Sequence, residues 1–146
     1  MNCTPKAVFD VLTDGWTYAT WVVGAARIRK VDAGWPEPGS LIHHSVGLWP
    51  FMISDTTKVE ACDPPREIRL RAQAWPAGEG DITISCQEQG DKTLVTIEEQ
   101  AVSGPAKFIP RPVESTMLHL RNIETLKRLA YLAESGARSK NGPYER

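Results

Sequence analysis

The residues in this chain best suited to acid–base chemistry or polar recognition are His44, Glu99, His119 and Asn122. His43 and His44 are neighbours in strand-like sequence, so their rings point to opposite faces and cannot share one metal ion. His119 is the only other histidine, and no cysteine or carboxylate stands at ligand spacing from it, so no metal site is expected. His44 shares a face with Ile42, Val46 and Leu48. There it reads either as a hydrogen-bonded core histidine or as a polar anchor or general acid–base group in a cavity. Glu98-Glu99 puts one carboxylate on each face of a strand. Glu99 goes with Val95 and Ile97, inside, where an arginine or histidine would be its partner, in a structural role ahead of a catalytic one. His119 and Asn122 are three apart and therefore adjacent on a helix, serving either strand ends or a ligand's polar group. The catalytic candidates are His44, His119 and Glu99. The chain carries no nucleophile elbow, phosphate loop, dinucleotide fingerprint or zinc-protease motif, and no cofactor is expected.

His119 and Asn122 lie on the last element, a helix predicted from about Val113 to Ser135, a stretch without Gly or Pro. At about 100° per residue, Leu118, Ile123, Leu126, Leu129, Ala130 and Ala133 form one apolar arc. Ser115, His119 and Asn122 fall inside the first half of that arc, where a buried polar group needs a partner. The second half, Leu126 to Ala133, reads as core, and the first half as the polar end of a cavity.

Upstream, Thr4 caps a helix with Pro5 at its first position and Val8, Phe9 and Leu12 on one face. A second, short helix is predicted over Thr17 to Val22. Six strands follow: Ala25 to Asp32, Ser40 to Leu48, Ile53 to Cys62, Glu67 to Trp75, Asp81 to Glu88 and Thr93 to Val102. Asp63-Pro64-Pro65, Gly78 to Gly80 and Gly90-Asp91 are predicted turns, too short for crossover helices, so the sheet is an antiparallel meander. The proline-rich segment from Ser103 to Pro112 is either a lid over the long helix or a stiff connection. The predicted class is α+β, one domain over 1–135 with a polar tail over 136–146.

The chain has 146 residues, 41% hydrophobic and 24% charged, which suits one globular domain with a full core. A net charge of −1 leaves no electrostatic footprint for nucleic acid. Arg66, Arg69 and Arg71 form a local basic cluster, with Arg69 and Arg71 on one side of a strand, and read as a solvated face. The longest apolar run, Trp21 to Ala26, is too short to cross a bilayer, and the first residues lack a signal peptide's apolar core. Three cysteines without metal spacing fit a reducing cytoplasm. Five tryptophans suit a core or a pocket wall.

With these elements in place the chain resembles the SRPBCC superfamily of START-related, helix-grip proteins, and within it the bacterial polyketide cyclase/dehydrase and lipid-transport group. The stretches that carry the resemblance are Thr4 to Asp14, Pro38 to Ile42, Asp63 to Arg66, Glu98-Glu99 with Gly104-Pro105, and Asn122 to Glu134. The order of elements carries more than any one motif. The resemblance implies a curved sheet wrapped around the long helix, with a hydrophobic cavity between them. It implies binding or transport of a small hydrophobic molecule such as a lipid or polyketide. A cyclase or dehydratase using a cavity histidine and a protein-interaction module of the co-chaperone kind are the alternatives. The expected lining is Trp21, His44, Leu48, Trp49, Met52, Phe108, His119 and Asn122. The superfamily's usual first strand, ahead of the first helix, is not in this sequence, so either it lies upstream or the sheet lacks it. A missing strand would leave two unpaired edges, which favours a partner chain such as a second copy (a homodimer), gap closure or instability, and an N-terminal extension is expected to add stability.

Overall fold

A computed structural model describes residues 1–48, 50–74, 78–105 and 111–140, with the backbone alone at 48, 74, 111–118 and 137–140. Helix α1 runs Pro5–Leu12, with the Thr4 hydroxyl accepting from the Ala7 amide at its start. After a single 3₁₀ turn over Gly15–Thr17 comes the short helix α2, Tyr18–Trp21. The strands are β1 Ala25–Val31, β2 Leu41–Leu48, β3 Phe51–Asp63, β4 Glu67–Ala74, β5 Gly78–Gln89 and β6 Lys92–Ser103, followed by α3, Arg111–Lys140. The strands pair in the order β1-β2-β3-β4-β5-β6, every pair antiparallel. This is the expected meander gripping a long helix.

Period-two patterning sets the concave face. Ile42 and His44 of β2, Val59 of β3, Ile68 and Leu70 of β4, and Ile84 and Cys86 of β5 are all buried on it. Val8, Phe9 and Leu12 of α1 and Leu129 and Ala133 of α3 close one end of this core, because both helices turn their apolar stripes toward the sheet. Irregularities in β1, in β3 near Glu60 and between β5 and β6 at Glu79–Gly80 bend the strands and curve the sheet.

Three expectations change. Gly78 to Gly80 are strand, not turn, since β5 pairs with β4 from Gly78 onward. Gly78 sits at φ +120°, and a Cβ there would strike the Ser103 carbonyl, so glycine serves a close strand approach rather than a reversal. The long helix passes through Gly136 to Lys140, beyond the predicted stop at Ser135, since one glycine costs a helix only about 1 kcal/mol. Its buried face is also rotated from the predicted arc. Thr125, Leu129 and Ala133 are buried, whereas Ile123 is 38% exposed.

β1 and β6 are the two edges of the sheet. The chain start covers the beginning of the β6 edge. Met1 and Thr93 exchange backbone hydrogen bonds of 2.8 and 3.0 Å, and the Thr93 hydroxyl donates to the Cys3 carbonyl. The Asn2 amide donates to Glu134 of α3. Among the described residues no helix is long and apolar enough to cross a membrane.

Candidate functional site

The core occupies only part of the space between sheet and helices. Beyond it lies a cavity of about 390 Å³. It is bounded by α2 and the turn after it (Tyr18, Trp21 to Ala25), by the strands (His44, Val46, Gly47, Leu70, Ala72, Gln73, Ile82, Ile84, Ile97, Glu99) and by α3 (Arg121, Thr125). The space exists because small residues meet there. Ala72 of β4 pairs with Gly80 of β5, and Gly24, Ala25 and Gly47 supply no bulk from the other side. A second, larger groove lies against the outward side chains Glu60, Arg69, Arg71, Asp81, Thr83, Glu98 and Gln100. Both of its arginines are paired, Arg69 with Glu67 and Arg71 with Asp81 at 2.8 Å, which suits a solvated surface.

Two polar groups face the apolar chamber. The first is a chain of buried side chains. The Tyr18 hydroxyl lies 2.9 Å from the Thr57 hydroxyl, which lies 3.0 Å from His44 Nε2. Tyr18 also contacts the Trp21 ring edge-on, with centroids 5.3 Å apart. Burial pushes the Tyr18 phenol up to about 12 and holds His44 below its ordinary value, although the neighbouring Asp55 pulls His44 the other way. Both rings are therefore neutral hydrogen-bonding groups at pH 7. Among the described residues, His44 Nδ1 and Trp21 Nε1 have no hydrogen-bond partner.

The lowered His44 pKa makes stability depend on pH. Below its ordinary value of 6.5 the unfolded chain binds a proton that the folded state resists, so stability is complete above that value and falls as pH drops through it. The melting temperature is expected to fall between pH 7.5 and 5.5, and less steeply in His44→Gln. Equal slopes for the two proteins would assign the effect to another group.

The second polar group joins sheet to helix. Glu99 of β6 has a side chain only 12% exposed and pairs with Arg121 of α3, which is 40% exposed. The Asn122 side chain lies close enough to Glu99 to favour its ionised form. Burial raises the Glu99 carboxyl, and Arg121 and Asn122 oppose that rise. Nearby, the Val23 amide donates to the buried Thr125 hydroxyl, tying the turn after α2 to the same stretch of α3.

The sequence-derived candidates are distributed unevenly. Trp21, His44 and Glu99 line the cavity, and Asn122 is half-buried beside it. His119 is exposed, one turn from Asn122 but on the solvent side, and so takes no part in the chamber. Met52 is also exposed, on the β2–β3 hairpin beside Phe51. Trp49 and Phe108, with the side chains of Leu48, Leu118 and Ser115, lie outside the described residues. Of the other tryptophans, Trp35 packs against the core, Trp16 is exposed and Trp75 lies outside the described residues. Sequence reasoning missed Tyr18, Gln73, Arg121 and Thr125. Tyr18 was findable, one helical turn before Trp21. Arg121 sits at the edge of the buried stripe, where only the true phase of the helix reveals it.

The comparisons agree with this architecture. The solved structure of protein NE0264 from Nitrosomonas europaea superposes with a TM-score of 0.71 at 14% identity, over 93% of this chain and 90% of that one. Ara h 8.0201 does so at 0.68 and 12% identity, over 91% and 92%. The di-domain ARO/CYC StfQ from the steffimycin biosynthetic pathway matches at 0.70 and 9% identity, over 97% of this chain and 49% of that one. At these identities the likeness shows a shared helix-grip fold. No curated protein matches the sequence. Residues 2–133 match the family described as activator of Hsp90 ATPase homolog 1-like protein. The chain thus belongs to the AHSA1 family, within the SRPBCC superfamily.

Proposed function

We propose that this protein binds a small hydrophobic molecule in the chamber between the concave sheet, α2 and α3. The observation that supports this reading is the cavity itself, about 390 Å³ and walled mainly by Val22, Val46, Leu70, Ile82, Ile84 and Ile97. That volume falls in the usual range of small-molecule sites, about 300–1,000 Å³. Burying apolar surface supplies affinity at roughly 25 cal/mol per Å² before the costs of association. The family's description names an Hsp90 ATPase activator, which directs attention to a protein partner. For this chain the apolar chamber favours the small-molecule reading.

The test is titration with N-phenyl-1-naphthylamine, an uncharged dye that brightens in apolar surroundings. A single saturable site with Kd on the order of micromolar is expected. Absence of saturable binding by a folded sample would defeat the proposal.

A further inference from the structure

The charges on the cavity wall select among apolar ligands. We infer that the site takes uncharged ligands and rejects carboxylates, and that Glu99 determines this specificity by neutralising Arg121. The inference rests on the binding function proposed above.

Among the described residues lining the cavity, Arg121 is the one cation, and its guanidinium is paired to Glu99. Arg121 holds Glu99 there, and the neighbouring Asn122 side chain favours its ionised form. A ligand carboxylate entering the chamber therefore finds no free counter-charge. It meets a largely buried carboxylate already on the wall. Arg29, on β1, spends its guanidinium on the carbonyls of His44 and Asp55. An anion leaving water without a partner loses most of its solvation energy. A hydroxyl or carbonyl loses far less and can hydrogen-bond to the neutral polar groups of the wall.

The decisive experiment is a matched pair on one ring system, 2-naphthol and 2-naphthoate, each displacing N-phenyl-1-naphthylamine at pH 7. In the wild type, naphthol is expected to compete at a concentration at least about tenfold below that of naphthoate. In Glu99→Gln, Arg121 loses its charged partner, and naphthoate should gain about tenfold relative to naphthol. Adding Arg121→Met to that variant should remove the gain, which a general loosening of the site would not do. Equal competition by the two compounds in the wild type overturns the inference and needs no variant to fold. So does a Glu99→Gln protein that melts cooperatively yet gains nothing for naphthoate. If the dye binds but charge does not matter, the specificity assignment alone falls. If the dye does not bind, the binding function falls and the inference falls with it.

Discussion

Leu129→Ala is expected to destabilise the protein by about 2–5 kcal/mol, the range for truncating a fully buried leucine. Leu129 is 0% exposed and sits where α3 meets Val8, Phe9 and Leu12 of α1 in the core. Removing its branched end leaves a void that two helices and a sheet can close only by shifting together. The loss is a large fraction of the roughly 5–15 kcal/mol that holds a domain folded. At about 2–4 °C per kcal/mol for a chain of this size, the melting temperature should drop by roughly 5–15 °C. Ile123→Ala on the same helix is the internal comparison. Its side chain is 38% exposed, so its loss should stay below about 1 kcal/mol. Chemical denaturation of both variants measures the phase of α3 directly. Equal losses would place the helix in the rotation expected from sequence, with Ile123 inside.

That phase is where the sequence was hardest to read. Strand faces were legible because alternation is strict: Ile68, Leu70 and Ala72 face inward while Arg69 and Arg71 face out, paired with Glu67 and Asp81. The α1 cap was legible because Thr4 and Pro5 have one good use together. Along α3 the polar pattern misled. Thr125 is buried against Val23 and was not placed in the apolar arc, whereas Ile123 and Leu120 are exposed and apolar. Taking Ile123 for the inside and leaving out Thr125 rotates the perceived stripe, enough to bring His119 inward and Arg121 outward. For the site, Trp21, His44 and Glu99 were legible as polar or amphipathic groups among inward-facing apolar residues. The Tyr18–Thr57–His44 chain was not, because Tyr18 and Thr57 are 39 residues apart and meet only through the fold. The cavity arises from an absence of bulk at Gly24, Gly47 and Ala72. Composition signals that only weakly, since Gly and Ala also serve turns and strand crossings, as Gly78 does against Ser103.

The same absence of bulk gives the sharpest functional variant. Ala72 lines the chamber from near the end of β4 and pairs with Thr57 on one side and Gly80 on the other. Ala72→Trp directs an indole into the 390 Å³ of open volume. Overpacking a filled core costs about 1–3 kcal/mol, but here the ring enters existing space and buries apolar surface, so the melting temperature should stay near wild type. The indole occupies the place of the ligand, and binding of N-phenyl-1-naphthylamine should weaken by at least about tenfold. Retained stability with lost binding separates blocking from unfolding, the two effects that Leu129→Ala would confound. Wild-type dye affinity in a stably folded Ala72→Trp protein would put the dye elsewhere. The exposed apolar side chains Phe51 and Leu120, at 83% and 64%, would then be the first places to look. The chamber earns its role as the binding site only if filling it from β4 abolishes what the dye reports.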